Sequence, residues 1–250
     1  MAGTRAEGTR RKDHVTNRSI ITKQGNGLKA SLADRAYDII QEKIITMALE
    51  PGEHVDEKQL VRELEIGRTP VREALLRLAT ECLVEAQANK GFIVRPLTLQ
   101  NIKAMFEALH VLDLGAAALA IHQNTTHHLA LMRDAQATFE EAMKDNNPLR
   151  LVWTNHAFHM HFARSCANSY LTRALENVRC EANRLAYLSF GEKTELAGDL
   201  LEHYQSVCQE HRQIMDFLEK KDLSGLKKTI EKHIRSFQRR IVIYLTSSIS

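Results

Sequence analysis

Two groups of side chains in this sequence have types and spacings that could do chemistry. The first contains Arg68 and Arg72, four residues apart, with Thr69 beside them. If this stretch is helical, the two guanidinium groups lie one turn apart on the same face. Arginine and hydroxyl side chains at the start of a helix suit contacts in the major groove of DNA. This stretch is therefore a candidate DNA-binding element.

The second group consists of histidines, ten of which follow Arg95. Asn155 and His159 are four residues apart and would share one face of a helix, while His211 and His233 fall on later predicted helices. Helices of a bundle can bring such groups to one interior point. Spacing alone favours ordinary surface or core histidines, and that interpretation is kept for five others: His127, His128, His156, His161 and His203.

The arginine-bearing stretch must be positioned by its apolar face. Val71, Ala74, Leu75 and Leu78 follow the i, i+3, i+4, i+7 pattern of an amphipathic helix. Pro70 is compatible only with the first turn of that helix, where no backbone N–H is needed. The pattern predicts a helix that runs to about Thr80 and buries one side.

Two helices and a hairpin are predicted around this element. A capping-box pattern at Ser31 begins a helix that ends near Met47, and Asp56 can cap a second short helix. Residues 50–53 form a turn, and a tight turn at residues 65–67 leads into the arginine-bearing helix. Two β-prone runs, 83–86 and 92–95, flank a turn formed by Asn89, Lys90 and Gly91. Three helices followed by a hairpin make a winged helix-turn-helix, with the hairpin tip placed to contact DNA.

The rest of the chain is predicted to be helical. Thr98 can cap the first of six helices, and the later ones cover about 127–143, 149–167, 171–190 and 196–220, with Ser224 capping a last helix to about 245. The sequence thus predicts a mainly α fold, in which a winged helix-turn-helix is followed by an antiparallel all-α helical bundle. The predicted division is a tail at 1–29, a DNA-binding domain at 30–95 and an effector-binding and dimerisation domain at 96–250.

Composition indicates a globular protein outside the membrane. Hydrophobic residues make up 44% and charged residues 26% of the 250 residues, and no apolar run is long enough to span a bilayer. Residues 1–29 carry seven basic and two acidic side chains, which predicts a basic, disordered tail. The four scattered cysteines indicate reduced core residues rather than a disulfide framework. We expect a cytoplasmic protein.

The N-terminal motifs resemble those of a known family. Pro51-Gly52, the run from Gly67 to Leu75 and the run from Lys90 to Val94 resemble the DNA-binding domain of GntR-family bacterial transcription regulators. The resemblance implies that Arg68 and Arg72 contact the major groove, that Thr69 assists and that Lys58 touches the DNA backbone. Gly67 departs from the family, which usually has Ser there, and so removes one hydroxyl that could meet a phosphate.

The C-terminal motifs resemble the ligand-binding (FCD) domain of the FadR-type GntR regulators. The matching segments are Asn155-x-x-Phe158-His159, Asn168-x-x-Leu171, Glu210-His211-x-x-Ile214 and the distal His233. The resemblance implies a divalent metal ion, zinc or a similar transition metal, held by Asn155, His159, His211 and His233. It also implies a small organic acid as effector.

Two departures from the FCD pattern affect these expectations. Asn155 stands where the family has Asp, so a bound metal ion would keep more of its positive charge. The affinity of the site for the metal should fall, and the attraction of the bound metal for an anionic ligand should rise. His110 and Asp113 stand where Arg and Glu are common. An arginine at the position of His110 could pair with a carboxylate effector. His110 is the expected contact for that carboxylate here, although a histidine pairs with it less reliably.

The leading hypothesis is a metabolite-responsive repressor. A homodimer would present two recognition helices to a palindromic operator in double-stranded DNA, with no membrane partner. One alternative keeps the DNA-binding domain but makes the bundle a dimerisation module without a ligand. The other is a metal-dependent enzyme, because a site of three histidines with open positions can activate water. The lack of an obvious general base makes an enzyme the weaker interpretation.

Overall fold

The computed structural model describes residues 30–145, 147–191 and 200–247. The predicted basic, disordered tail, residues 1–29, lies outside the described residues, as does the start predicted for the fifth helix of the bundle, at 196.

The N-terminal part consists of three helices and three short strands. In chain order these are α1 (Leu32–Ile45), β1 (His54–Val55), α2 (Glu57–Leu64), α3 (Arg68–Thr80), β2 (Val84–Gln87) and β3 (Gly91–Val94). The predicted capping box is present at Ser31, whose side chain accepts from the backbone N–H of Asp34. Asp56 likewise accepts from the backbone N–H groups of Lys58 and Gln59 and so caps α2.

The arginine-bearing helix α3 packs by the predicted apolar stripe. Val71, Ala74, Leu75 and Leu78 are fully buried. They form a core with residues of α1, α2 and the strands, including Tyr37, Leu60 and Phe92. Removing these side chains from water is the main term that holds α3 in place, because free energy scales with buried apolar area. The face that carries Arg68 and Arg72 is exposed to solvent.

The wing has three strands, whereas the sequence predicted a two-stranded hairpin. The strand order is β1-β3-β2, with His54 opposite Ile93 in one pair and Val84 opposite Val94 in the other. A two-residue strand has no periodicity that could reveal it, so β1 was missed. The predicted hairpin strands are each displaced by one residue. Asn89 and Gly91 adopt positive φ angles of 61° and 82°, which form the turn at the wing tip.

Six helices follow in the described C-terminal part. They are α4 (Leu99–Ala120), α5 (Thr126–Lys144), α6 (Pro148–Arg164), α7 (Ser169–Phe190), α8 (Leu200–Glu219) and α9 (Leu223–Ser247). Thr98 caps α4 as predicted, since it accepts from the backbone N–H of Asn101. The cap predicted at Ser224 is wrong: α9 begins one residue earlier, and Asp222 accepts from the N–H of Gly225. None of the helices in the described ranges is long and apolar enough to cross a membrane.

The two parts share buried residues across α1 and α7. Cys180 of α7 is packed in the core of the winged helix, and Ile45 of α1 is buried with Phe139 and Phe190 of the bundle. Three of the cysteines are buried as predicted, but Cys82 is exposed in the turn after α3, where its φ is 60°. The position of Cys82 is set by this turn and not by its apolar character.

Candidate functional site

Three histidines from three helices meet inside the bundle. His159 of α6, His211 of α8 and His233 of α9 offer ring nitrogens that all lie within 4.8 Å of one another. The Nε2 atoms of His159 and His233 are 3.2 Å apart. Two imidazole ligands of a tetrahedral zinc ion are separated by about 3.3 Å, given Zn–N bonds near 2.0–2.1 Å. The spacing of this pair therefore matches that of two ligands on one metal ion.

The side chain of Gln136 on α5 fixes the tautomer of His211. The amide nitrogen of Gln136 donates to Glu140, so its amide oxygen is the atom 2.7 Å from Nδ1 of His211. An amide oxygen only accepts, and Nδ1 must therefore carry the proton. The lone pair is left on Nε2, which is buried and has no hydrogen-bond partner in the described residues. Phe158 stacks on the ring, with centroids 3.9 Å apart, and holds its plane.

Glu210 on α8 does the same for His233. Its Oε2 lies 2.8 Å from Nδ1 of His233, and its Oε1 accepts from Ser236 at 3.1 Å. Burial by itself would raise the pKa of Glu210, but the hydrogen bond and positive charge from His233, with Lys232, outweigh it and hold the pKa below its usual value. A carboxylate behind a histidine is the usual outer support of a metal ligand.

The remaining electrostatics favour neutral imidazoles. Burial, aided by the positive charge of Arg179, lowers the pKa of His159 well below its usual value. Burial, followed by the charges of His233 and Arg179, does the same for His211. A metal ligand must be the neutral ring, so both residues are in the form that ligation requires without deprotonation.

These residues fit a divalent transition metal ion. Three imidazoles, a buried unpaired Nε2 and two outer supports form a nitrogen-rich site of the kind that zinc and similar ions prefer. A cavity borders His159 and His233. Asn155, one turn before His159 on α6, also lines it, and its amide oxygen could serve as a further ligand. The sequence suggested all four residues but missed the supports Gln136 and Glu210. Glu210 was visible only as the neighbour of His211.

The cavity beside the histidines is lined by a buried ion pair and excludes His110. Asp113 of α4 and Arg179 of α7 both line it, with Nη2 of Arg179 only 2.6 Å from Oδ2 of Asp113. His110 does not line this cavity: its side chain is about half exposed and lies 3.8 Å from Glu231 of α9. The arginine that could meet a carboxylate is therefore Arg179, which the sequence did not single out.

The residues predicted to contact DNA lie on one exposed region of the winged helix. Arg68, Thr69 and Arg72 are exposed at the start of α3, and Lys58 is exposed at the start of α2. Asn89 and Lys90 are exposed at the wing tip, and Gly91 is partly buried where β3 begins. Gly67 makes no side-chain capping bond to α3, in keeping with its lack of a hydroxyl.

Glu57 connects three parts of this surface. Its carboxylate lies 3.2 Å from Nη1 of Arg72, and the Arg72 guanidinium stands 5.9 Å from the ring centroid of Phe92 in the wing. A Cβ atom placed on Gly91 would be 3.7 Å from the same carboxylate. Glu57 thus holds Arg72 between α2 and the wing, a role that nothing in the sequence pattern indicated.

Helix α7 has one side on the cavity and the other on the winged helix. Arg179, Ala182, Asn183 and Ala186 follow helical spacing and line the cavity. On the other side, Arg184 donates from Nη1 to the backbone carbonyl of Arg95 over 2.8 Å. Two further residues on that side, Glu181 and Cys180, contact Arg95 and the winged-helix core.

The fold and this surface define a class of protein: a winged helix-turn-helix regulator with an all-helical C-terminal domain. Residues 32–94 match the family model "Bacterial regulatory proteins, gntR family", and residues 104–236 match the FCD domain. The chain belongs to the GntR family of transcription regulators and carries an FCD domain, as the motifs implied.

Individual relatives agree with this assignment. The chain is 23% identical to the HTH-type transcriptional regulator YdhC of Bacillus subtilis (strain 168) over 198 residues, covering 79% of this chain and 85% of YdhC. It is 20% identical to the HTH-type transcriptional repressor RspR of Escherichia coli (strain K12), covering 82% of this chain and 86% of RspR. The E. coli McbR/YncC structure superposes with a TM-score of 0.70 at 20% identity, covering 88% of this chain and all of that one. These relatives are regulators and not enzymes.

Proposed function

We propose that this protein is a ligand-responsive repressor whose affinity for an operator is changed by a small organic acid bound, with a divalent metal ion, in the FCD cavity. One observation carries the proposal: α7 forms a wall of the cavity and also contacts the winged helix. A displacement of α7 by a ligand in the cavity would also move the residues of α7 that contact the winged helix. Ligand binding and DNA binding can therefore be coupled through α7.

The DNA-binding half of the proposal rests on α3 and its surroundings. Arg68 and Arg72 would read base edges in the major groove, with Thr69 and Lys58 on phosphates. The wing tip, residues 89–91, would contact the adjacent backbone. Arg72 already has its position set by Glu57, and it must leave or share that carboxylate when it meets DNA.

The effector half rests on the cavity. His159, His211 and His233, with Asn155, would hold the metal, which when bound supplies positive charge for an acidic ligand. Arg179, paired with Asp113, brings a guanidinium donor into the same wall. Because Asn155 adds no negative charge, an anion should be attracted more strongly than beside an Asp. His110, being outside the cavity, is not part of this effector site.

The response depends on which arrangement of the two domains the effector prefers. Arg184 is fully buried, and burial lowers its pKa to about 10. Its Nε and Nη2 atoms have no hydrogen-bond partner within the described residues. Because these polar atoms are unpaired, the contact between the two domains is only weakly stabilised. A modest difference in effector affinity between two arrangements of the domains is then enough to shift the equilibrium between them.

A homodimer would place two recognition helices on a palindromic operator. Repression is supported by the relative RspR, which is named as a transcriptional repressor. In the alternative, the bundle is only a dimerisation module. The protein would then bind DNA but would not respond to any ligand.

The test is a fluorescence-anisotropy titration of the protein on the DNA upstream of its own gene. Arg72→Ala should weaken binding by about 5- to 150-fold, the range for one base-reading arginine. Arg173→Ala, which removes an exposed arginine from α7 in the bundle, should leave affinity unchanged. Equal losses in the two variants would mean that only charge matters and would contradict the recognition role of α3.

The sensor half is tested by metal analysis of the purified protein and by melting curves with carboxylic acids. Bound metal, and an acid that both raises the melting temperature and weakens DNA binding, would support it. DNA binding that no metal or acid affects would instead favour the dimerisation module.

A further inference from the structure

The ion pair between Asp113 and Arg179 is incompletely satisfied. Oδ2 of Asp113 and Nη2 of Arg179 are 2.6 Å apart, and only 4% and 8% of the two side chains are exposed. Oδ1 of Asp113 and Nε of Arg179 are also buried, yet neither has a hydrogen-bond partner among the described residues. The pair therefore presents one unused acceptor and one unused donor.

Such a pair is costly unless something meets those atoms. Buried polar atoms in folded proteins are nearly always hydrogen-bonded, and each exception requires an explanation. An ion pair that served only to hold α4 against α7 would be expected to satisfy its second atoms, since unpaired buried charge destabilises the fold. The location of the pair, in the wall of a cavity, indicates a bound molecule as the missing partner.

Other polar pairs in the same wall are already satisfied. Asn183 and His156 are joined over 3.1 Å, and Ser189 lies 3.1 Å from Nε2 of His203. Asp113 and Arg179 differ from these pairs in keeping an acceptor and a donor available. Asp113 and Arg179 line the same cavity as His159 and His233. A small ligand could thus reach the ion pair and the histidines together.

We propose that Asp113 and Arg179 form a specificity subsite that selects carboxylic acids bearing a hydroxyl or amino group next to the carboxylate. Nε of Arg179 donates to the carboxylate of the ligand, and Oδ1 of Asp113 accepts from its hydroxyl or ammonium group. This inference rests on the proposed function, because it names the chemistry of the effector of the same cavity.

The charges explain why the neighbouring donor is needed. Asp113 cancels the charge of Arg179, so the pair as a whole does not attract a plain anion. A carboxylate without a donor would leave Oδ1 buried and unpaired and would also face its negative charge. A ligand that brings a donor satisfies that oxygen, and a site built to bond a hydroxyl or amine discriminates strongly against the analogue that lacks it.

The test uses matched acids on the full-length, zinc-loaded protein, with dissociation constants from calorimetry. The pairs are propionate and lactate, succinate and malate, and glutarate and 2-hydroxyglutarate, with aspartate as the amine counterpart of malate. We expect at least one substituted acid to bind about tenfold or more tightly than its plain partner, as for a hydrogen bond to a charged group. Asp113→Asn should reduce that preference. Glu107→Gln, the same kind of change on the exposed side of α4, should preserve it.

The outcomes separate the two proposals. If acids bind but the plain and substituted members of every pair bind equally, the subsite is wrong while the proposed function stands. If Asp113→Asn folds and keeps the full preference, the assignment to Asp113 is wrong. If none of the acids binds, the proposed effector function itself fails. A 2-hydroxy acid can also chelate zinc, so the wild-type titrations are repeated on metal-free protein. A preference that remains without zinc supports the subsite even if the Asp113 variant does not fold, and a preference that disappears with zinc contradicts it.

Discussion

Arg184 of α7 donates from Nη1 to the backbone carbonyl of Arg95, 2.8 Å away, directly after the last strand of the wing. This hydrogen bond joins the helix that lines the cavity to the domain that carries the recognition helix. Glu181, one turn earlier on α7, reaches the side chain of the same residue, 3.4 Å from Nη1 of Arg95. Arg95 is thus held from α7 through both its backbone and its side chain.

Replacing Arg184 should uncouple the two domains. In Arg184→Met the carbonyl of Arg95 loses its donor, while the cavity face of α7 is unchanged. We expect effector affinity within about twofold of wild type, but an effector-induced change in DNA affinity that falls below about fivefold, the lower end of ordinary allosteric coupling. Anisotropy titrations with and without effector measure both quantities. Arg173→Met, exposed on the same helix, is the control, and full coupling in Arg184→Met would contradict this role.

Neutralising Glu57 should make DNA binding less selective. In Glu57→Gln, Arg72 loses the carboxylate 3.2 Å away, and the surface loses one negative charge. We expect tighter binding to random DNA at low salt and a smaller ratio between operator and random affinity. Competition titrations at two salt concentrations measure this ratio. Glu176→Gln in the bundle is the matched control. An unchanged ratio of operator to random-DNA affinity in Glu57→Gln would show that Glu57 does not fix the position of the Arg72 side chain.

Removing the support behind His211 should weaken metal binding. Gln136→Leu takes away the oxygen that fixes the proton on Nδ1, while it keeps the size of the side chain. The loss of such an outer partner lowers metal affinity by about 10- to 100-fold. Zinc competition with a chromophoric chelator measures the affinity. The exposed Gln100 provides the control substitution Gln100→Leu, which should bind zinc like the wild type.

Asn155→Asp should act in the opposite direction. A carboxylate at this position adds a negative charge beside the histidines, so zinc affinity should rise by about tenfold or more. The same charge should reduce the affinity for a carboxylate ligand. Parallel titrations with zinc and with the acid measure the expected rise in zinc affinity and the expected fall in acid affinity. Equal zinc affinities in the variant and the wild type would show that residue 155 is not a metal ligand.

Acid should destabilise the fold through His203. Burial, followed by the charge of Arg240, lowers the pKa of His203 from 6.5 to about 3. The folded protein then binds this proton more weakly than the unfolded chain, so the stabilisation is complete above pH 6.5 and is lost as pH falls towards 3. At pH 5 the loss amounts to up to about 2 kcal/mol relative to pH 7.5.

The comparison of His203→Gln with wild type isolates this effect. Urea unfolding at several pH values should show a shallower decrease of the unfolding free energy in the variant. His122→Gln removes an exposed histidine and should follow the wild-type curve. Parallel curves for wild type and His203→Gln between pH 7.5 and 5 would contradict the prediction.

The sequence by itself determined the features that depend on neighbours along the chain. Caps at Ser31, Asp56 and Thr98 are set by side chains that reach N–H groups two or three residues ahead. The apolar stripe of α3 follows from helical spacing, and the run from Gly67 to Leu75 was specific enough to indicate the family.

Tertiary structure alone decided which side chains meet. Gln136 and His211 are 75 positions apart, and no local pattern predicts that an amide from α5 will orient a ring on α8. The short strand β1 exists because β3 lies beside it. His110 and Asp113 are about 60° apart around α4, so the rotation at which α4 packs places Asp113 in the cavity wall and His110 outside it. Burial of the apolar faces sets that rotation, and with it the residues available to a ligand.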